Sequence, residues 1–170
     1  MINMKTSCTL LFLILFSGFI LAQSKIEVGK KAPEITMAKP DGSLFSLSSQ
    51  KGKIVLVDFW ATWCAPCVEE QPELKKLYET YSDQVKGNKF EILGVSLDKN
   101  KESWKKAIDR FGMNWIQISD LKFWKSPVAK AYEIDELPFN VIIDSEGTII
   151  AKNLHEKELE EFLKKHLVQN

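Results

Sequence analysis

Apolar residues crowd two stretches of this chain without alternation, residues 54–61 (IVLVDFWA) and 90–97 (FEILGVSL), and recur at helical spacing after each. An uninterrupted apolar run of this length is the pattern of a strand covered on both faces, hence central and parallel to its neighbours. After the first run Cys67, Leu74, Tyr78 and Tyr81 recur at steps of three, four or seven, so residues 65–81 predict a helix with one core-facing stripe. Pro72 falls inside it and predicts a kink. After the second run the stripe is Trp104, Ala107, Ile108 and Phe111, capped by Asp98 or Asn100 and stopped by Gly112. Together these make a βαβα run.

The flanks are polar with short apolar pieces. Residues 26–33 end in Lys31-Ala32-Pro33, a lead-in, and residues 34–37 predict a short edge strand before the turn Pro40-Asp41-Gly42-Ser43, with residues 44–47 pairing back on it. Ser126-Pro127 reads as an N-cap with Pro at the first helical position, opening a short helix to Tyr132. Residues 141–143 and 148–151 flank Asp144-Ser145-Glu146-Gly147, a hairpin with Gly where positive φ is wanted. Asn153 with Glu156 predicts a cap pair before Leu159, Phe162, Leu163 and Leu167. Acids at the start of this last helix and Lys164 and Lys165 near its end suit the helix dipole.

The first 22 residues form a separate object: Lys5 supplies a positive flank, residues 10–21 are almost wholly apolar, and Ala22 offers a small residue for cleavage before Gln23. This is the pattern of a secretory signal peptide. A retained membrane anchor is the weaker reading, because the apolar core is shorter than the roughly 20 residues a spanning helix needs. Lipoprotein processing would need a cysteine after the apolar stretch, whereas Cys8 precedes it. The mature chain of roughly 150 residues fits one domain, over residues 26–168. The 23 basic and 23 acidic residues balance and form no long block of one sign, so nucleic acid and anionic lipid are poor partners.

Cys64 and Cys67 are the cysteines left after residue 22, in Trp63-Cys64-Ala65-Pro66-Cys67, where the first buried strand turns into its helix. A cysteine at a helix N-terminus faces unpaired N–H groups and the positive end of the dipole, which favours thiolate over thiol. Cys64 is therefore the candidate nucleophile, and Cys67, one turn on and partly shielded, the candidate resolving thiol. Two plainer readings compete. Zinc would need two more ligands, and His155 and His166 on one helix would lie about 16 Å apart. A purely structural bridge across so few residues would stabilise little. An exported chain with one C-x-x-C pair is expected to work by redox chemistry, with a Cys64–Cys67 disulfide in place of any separate cofactor and no metal.

Residues 57–67, VDFWATWCAPC, resemble the active-site segment of the thioredoxin superfamily. The leader, the Ala32-Pro33 lead-in, the long middle segment and residues 138–147 are similar to the exported TlpA/ResA-like thiol–disulfide oxidoreductases of bacteria, with a redoxin-type domain. The resemblance spans residues 26–168. It implies a thioredoxin-like α/β fold: a central mixed sheet flanked by helices, an N-terminal extension, and a helix-containing central insert around residues 83–115. It implies reduction of disulfides in envelope proteins, in the periplasm, with electrons returned by a membrane dithiol donor. Cytochrome c maturation proteins are candidate substrates on the same ground. A monomer is expected.

Asp58 shares a strand face with Ile54, Leu56 and Trp60, where an unpaired carboxylate costs several kcal/mol or shifts its pKa upward. It is either an acid near a strand end that finds water or a lysine, or a buried acid that relays the proton of Cys67. Its position matches the family's buried Asp. Pro138 could be an ordinary trans residue, but the resemblance implies a cis Leu137–Pro138 bond beside the disulfide, with Leu137 offering its backbone to substrate. Phe139-Asn140 departs from the frequent Thr there. Trp63 is read as an exposed lip of the docking surface, Trp60 and Trp104 as core, and Trp115 and Trp124 as either core or partner surface. Two rival activities share this site. A disulfide oxidase would run the exchange in reverse, and a thiol peroxidase would carry Thr three residues before the cysteine, where this chain has Ala61.

Overall fold

The computed structural model describes residues 26–168, so the signal segment, residues 1–22, lies outside the described residues. The order of elements is β1 (Thr36–Ala38), β2 (Leu44–Ser46), β3 (Ile54–Trp60), α1 (Ala65–Thr80), α2 (Ser82–Lys86), β4 (Phe90–Ser96) and α3 (Lys101–Phe111), then β5 (Ile116–Ser119), α4 (Pro127–Ala131), β6 (Phe139–Ile143), β7 (Ile149–Lys152) and α5 (Glu156–Val168). One seven-stranded sheet runs β2-β1-β5-β4-β3-β6-β7. Its interior is parallel from β3 through β4 to β5, while β6 lies antiparallel against β3 and β7 antiparallel against β6. The sheet is mixed, as expected, but β3 has a parallel neighbour on one side only. A continuous apolar run reports burial of both faces, which holds for either direction of the neighbour.

Two cores form, one on each face. Leu56 and Trp60 of β3 pack with Cys67, Leu74 and Leu77 of α1, Trp104 of α3, and Leu159 and Leu163 of α5. Val55, Val57 and Phe59 point the other way, against Ile35, Met37, Leu47, Tyr132 and Ile134. The N-terminal extension is thus the cover of the second face, and Tyr132 ties it down by donating its hydroxyl to the Pro33 carbonyl at 2.6 Å. The stretch around 83–115 is woven into the sheet through β4, which is buried along its whole length. Among the described residues no helix is long and apolar enough to cross a membrane.

Several local expectations need correction. β1 is not an edge strand: it lies between β2 and β5, because β5 pairs on its other side, with Ser119 opposite Ala38. α1 carries Pro72 in its interior, where the sequence placed it. Asn100, not Asp98, caps α3 through its side chain, accepting the Ser103 N–H at 2.8 Å, and Gly112 closes the helix in the left-handed region. Ser126 starts α4 without a side-chain cap, its hydroxyl going instead to Asp120 at 2.9 Å. The Asn153–Glu156 cap pair does not form. Asn153 gives its N–H to the Asn140 carbonyl, and the first bonds of α5 end on the carbonyl of His155, two residues later.

Candidate active site

β3 delivers the chain into a three-residue turn, and that turn is clamped before the first cysteine. Asp98, buried beyond the end of β4, accepts the Thr62 N–H at 3.2 Å, the Thr62 hydroxyl at 2.6 Å and the Ser96 hydroxyl at 2.8 Å. A carboxylate with several donors is held firmly, so the backbone arrives at Cys64 in a fixed orientation. Cys64 is the N-cap of α1, with its sulfur accepting the Cys67 N–H at 3.2 Å and Pro66 in the first turn. The two cysteines are joined as a disulfide, with Cα atoms 5.3 Å apart. Cys64 is 5 % exposed and Cys67 1 %, so a docking partner meets the Cys64 sulfur first. Once the bridge is reduced, the same N–H groups and the helix dipole favour charge on Cys64.

Beneath this turn a polar row crosses the sheet. Asn140 of β6, Asp58 of β3, Gly94 of β4 and Gln117 of β5 stand opposite one another in register, and paired residues share a face. Gln117 accepts the Trp60 indole N–H at 3.0 Å. It can lie there because Gly94 has no side chain, since a Cβ at that position would come within 2.4 Å of the Gln117 amide. Asn140 is bonded twice to Leu154, donating to its carbonyl at 2.7 Å and accepting its N–H at 3.2 Å. This stitches the β7–α5 connection over the row. The departure at Phe139-Asn140 thus places an aromatic ring on one face, against Phe59, and a connector on the other.

Asp58 is 3 % exposed, and its Oδ2 has no hydrogen-bond partner. Burial pushes its carboxyl up to about 7, the negative charge of Glu70 adds to the rise, and the neighbouring Gln71 amide opposes it. Gln71 also donates to the Cys67 carbonyl at 3.0 Å, so one side chain touches both the acid and the backbone of the second cysteine. A crevice of about 10 Å³, the scale of one water, connects Asp58 outward between α1 and α5, past Glu70, Asn140 and His155. At its mouth His155 Nδ1 meets Glu70 Oε1 at 2.9 Å. Burial raises the Glu70 carboxyl above its ordinary value, and His155 counteracts that.

Of the residues singled out in the sequence, Cys64 and Cys67 are joined at the start of α1, and Asp58 lies on β3 in the crevice that α1 lines. The Leu137–Pro138 bond is cis. Leu137 is half-buried and packs against both cores, including the cluster that holds the cysteines. Trp63 is 45 % exposed beside them, with its ring 5.0 Å from Phe123 and 5.8 Å from Trp124. Trp60 and Trp104 are core. Trp115 is core as well, against Tyr78, whereas Trp124 keeps 38 % of its surface. Sequence reasoning missed Glu70 and Gln71, and took Asn140 only as a departure from the family pattern and His155 only as a rejected zinc ligand. Glu70 had a visible signal, since it stands one helical turn after Cys67, on the same side of α1.

The family profile described as Redoxin matches residues 27–166. The chain belongs to the redoxin family. It is 34 % identical over 162 residues to the thiol-disulfide oxidoreductase ResA of Bacillus thuringiensis subsp. konkukian, covering 89 % of this chain and 85 % of that protein. The ResA protein of Geobacillus kaustophilus is 32 % identical over 135 residues, covering 79 % and 74 %. Among solved structures, the thioredoxin domain of a thiol-disulfide oxidoreductase from Bacteroides vulgatus superposes with a TM-score of 0.77 at 37 % identity, over 84 % of this chain and 99 % of that one. A thiol-disulfide oxidoreductase from Bacteroides fragilis gives 0.76 at 34 % identity, over 81 % and 100 %. The redoxin-family chain is thus a thiol–disulfide oxidoreductase of the ResA/TlpA type on a thioredoxin-like fold, with a Cys64–Cys67 pair.

Proposed function

We propose that this oxidoreductase works as an exported reductase of protein disulfides in the cell envelope. The observation that carries the reading is a helix-capping Cys64 bridged to Cys67 at the start of α1, with a buried Asp58, whose Oδ2 has no partner, on the strand that leads into it. The Cys64 thiolate attacks one sulfur of the substrate disulfide, forming a mixed disulfide and expelling the other substrate sulfur as thiolate. Cys67 gives its proton to Asp58 and attacks the Cys64 sulfur, which breaks the mixed bond and releases the second substrate thiolate. Two electrons pass to the substrate, and the 64–67 bridge remains. A carboxyl held near neutrality can take and return that proton at physiological pH. Leu137, Pro138 and Trp63 form the margin on which substrate main chain docks.

The apolar leader supports export and signal cleavage, and an exported reductase needs its electrons from a membrane dithiol donor. Cytochrome c maturation proteins and other disulfide-bearing envelope proteins are the candidate substrates, by the resemblance to TlpA/ResA-like proteins, and the protein acts as a monomer. Replacing Cys67 by Ser stalls exchange at the mixed disulfide. Expressed in the native envelope, this variant should accumulate covalent adducts that a reductant releases, and recovery of none would end the reading. The direction of flow is tested by the reduction potential: a value near thioredoxin's, about −270 mV, fits a reductase, and one near about −120 mV makes the protein an oxidase.

A further inference from the structure

Two large exposed apolar side chains touch each other next to the disulfide. Val28, Leu44, Trp63, Trp124 and Val168 are the large hydrophobics that stay exposed among the described residues, and of these Trp63 and Trp124 meet at a tilt with ring centres 5.8 Å apart. Phe123 completes the group, edge-on to Trp63 at 5.0 Å and to Trp124 at 6.0 Å. The platform is held stiffly. Phe123 adopts φ 56 and Leu121 the same value, left-handed conformations that a bulky residue keeps only where its surroundings impose them. The imposing contacts are the Asp120 carboxylate, which accepts the Lys122 N–H at 3.0 Å and the Ser126 hydroxyl at 2.9 Å, and Ser119 Oγ, which accepts the Leu121 N–H at 3.1 Å. Rigid aromatic surface binds a partner at little entropic cost.

Charge gives the platform a polarity. The Lys99 ammonium lies 4.2 Å over the Phe123 ring, and Lys122 and Lys125 flank the Phe-Trp pair, both exposed. Between residues 119 and 126 the carboxylate is Asp120, and both its oxygens are spent on holding the loop. On the Leu137–Pro138 side the chain carries exposed Asp135 and Glu136 instead. Acids thus precede Leu137–Pro138 in the chain, while lysines surround the aromatic rings.

We propose that Trp63, Phe123 and Trp124, with Lys99, Lys122 and Lys125, are the docking platform for a protein disulfide whose cysteine is flanked by an apolar residue and carboxylates. The inference rests on the reductase reading above and adds to it the chemistry of the substrate. The apolar residue lies on the rings, and the carboxylates meet the lysines.

The test uses the full chain, reduced beforehand and mixed in single turnover with two synthetic peptides. Each holds one internal disulfide beside the same apolar residue, flanked by two Glu in one peptide and two Lys in the other. Oxidised 2-mercaptoethanol, neutral and too small to reach the platform, serves as the reference for exchange itself. At low salt the Glu peptide should oxidise the protein about fivefold to tenfold faster, the scale of one or two exposed charge pairs, and the ratio should fall toward one as salt screens it. The double variant Lys122→Glu, Lys125→Glu should invert the preference, and Trp124→Ala should slow both peptides while preserving their ratio. Equal rates for the two peptides at low salt, or a preference indifferent to the charge reversal, would overturn the proposal. Failure of the wild-type protein to react even with the small reference disulfide would instead remove the reductase reading, and this proposal with it.

Discussion

Two rows of residues cross the same four strands one position apart, and they could hardly differ more. Phe139, Phe59, Val95 and Ile118 lie in register on the face covered by the N-terminal extension, and every one is apolar. Asn140, Asp58, Gly94 and Gln117, the adjacent row on the opposite face, include a carboxyl, two amides and a residue with no side chain. Among the described residues, the buried side-chain polar atoms that lack a partner follow the same division: Asp58 Oδ2, Gln71 Oε1, Trp104 Nε1, Trp115 Nε1 and Gln117 Nε2 belong to the α1 side of the sheet. On the other side the buried Tyr132 hydroxyl is satisfied. Stability resides in the dry face, and the face beneath the disulfide gives some of it up for a titratable group. The period-two alternation of a strand lets one backbone serve both ends.

The contrast is tested most strongly by exchanging the qualities of the two rows. Phe59→Ala removes a fully buried ring that packs on Tyr132 at 4.9 Å and Phe139 at 5.8 Å, and should cost roughly 3–5 kcal/mol in denaturant unfolding. Exchange by the folded fraction should change little, because the ring faces away from the cysteines. Asp58→Asn should do the opposite. A carboxyl whose pKa is raised on folding holds its proton more tightly in the native state, so native stability falls as pH climbs from about 4 to 7 and is level above. A rise from 3.8 to about 7 corresponds to about 4 kcal/mol. The variant lacks that loss, so its unfolding free energy relative to wild type should improve by about this amount between pH 4 and pH 8. Its dithiol turnover near neutral pH should slow. A variant whose stability tracks wild type across this range, or whose turnover is unchanged, would show that the row carries no proton.

The dry face and the central strands were legible in the sequence because periodicity records burial. Residues 54–61 and 90–97 were read as strands nearly to their observed ends, and Gly112 and Gly147 mark the observed helix stop and hairpin turn, both at positive φ. The turn carrying Cys64 and Cys67 followed from an apolar run meeting a C-x-x-C. What stayed hidden was pairing between distant segments. Nothing local tells that Asn140 faces Asp58 across 82 positions, or that His155 closes on Glu70. β1 looked like an edge because its own residues are few, yet whether a strand is an edge depends on where β5 arrives. The Asn153 cap failed for the same reason: its N–H is drawn to Asn140, a partner outside the helix.

Smaller changes sharpen the account of how the polar row is built. Gly94→Ala puts a methyl where the Gln117 amide now lies, 2.4 Å away, and Gln117 cannot yield without releasing the Trp60 indole. We expect a loss of about 1–3 kcal/mol, in the range of overpacked sites, and a change in the near-ultraviolet signal of Trp60. Native stability and spectrum would mean that Gln117 is free to move and the row is not tightly specified.

The smallest expected effect is also the most specific to the crevice. Glu70→Gln removes the charge that helps raise Asp58 while keeping the shape of the side chain and its place opposite His155. Asp58 should then titrate below its present value of about 7, which carbon-13 chemical shifts of its carboxyl can follow directly. By linkage the pH window over which wild-type stability declines should close at a lower pH, with the total loss reduced. The effect is limited because burial, not Glu70, is the larger cause of the raised value. If Asp58 titrates unchanged in this variant, the charge at the mouth of the crevice is screened from its floor. The Glu70–His155 pair would then stabilise the α1–α5 junction without touching the proton beneath the disulfide.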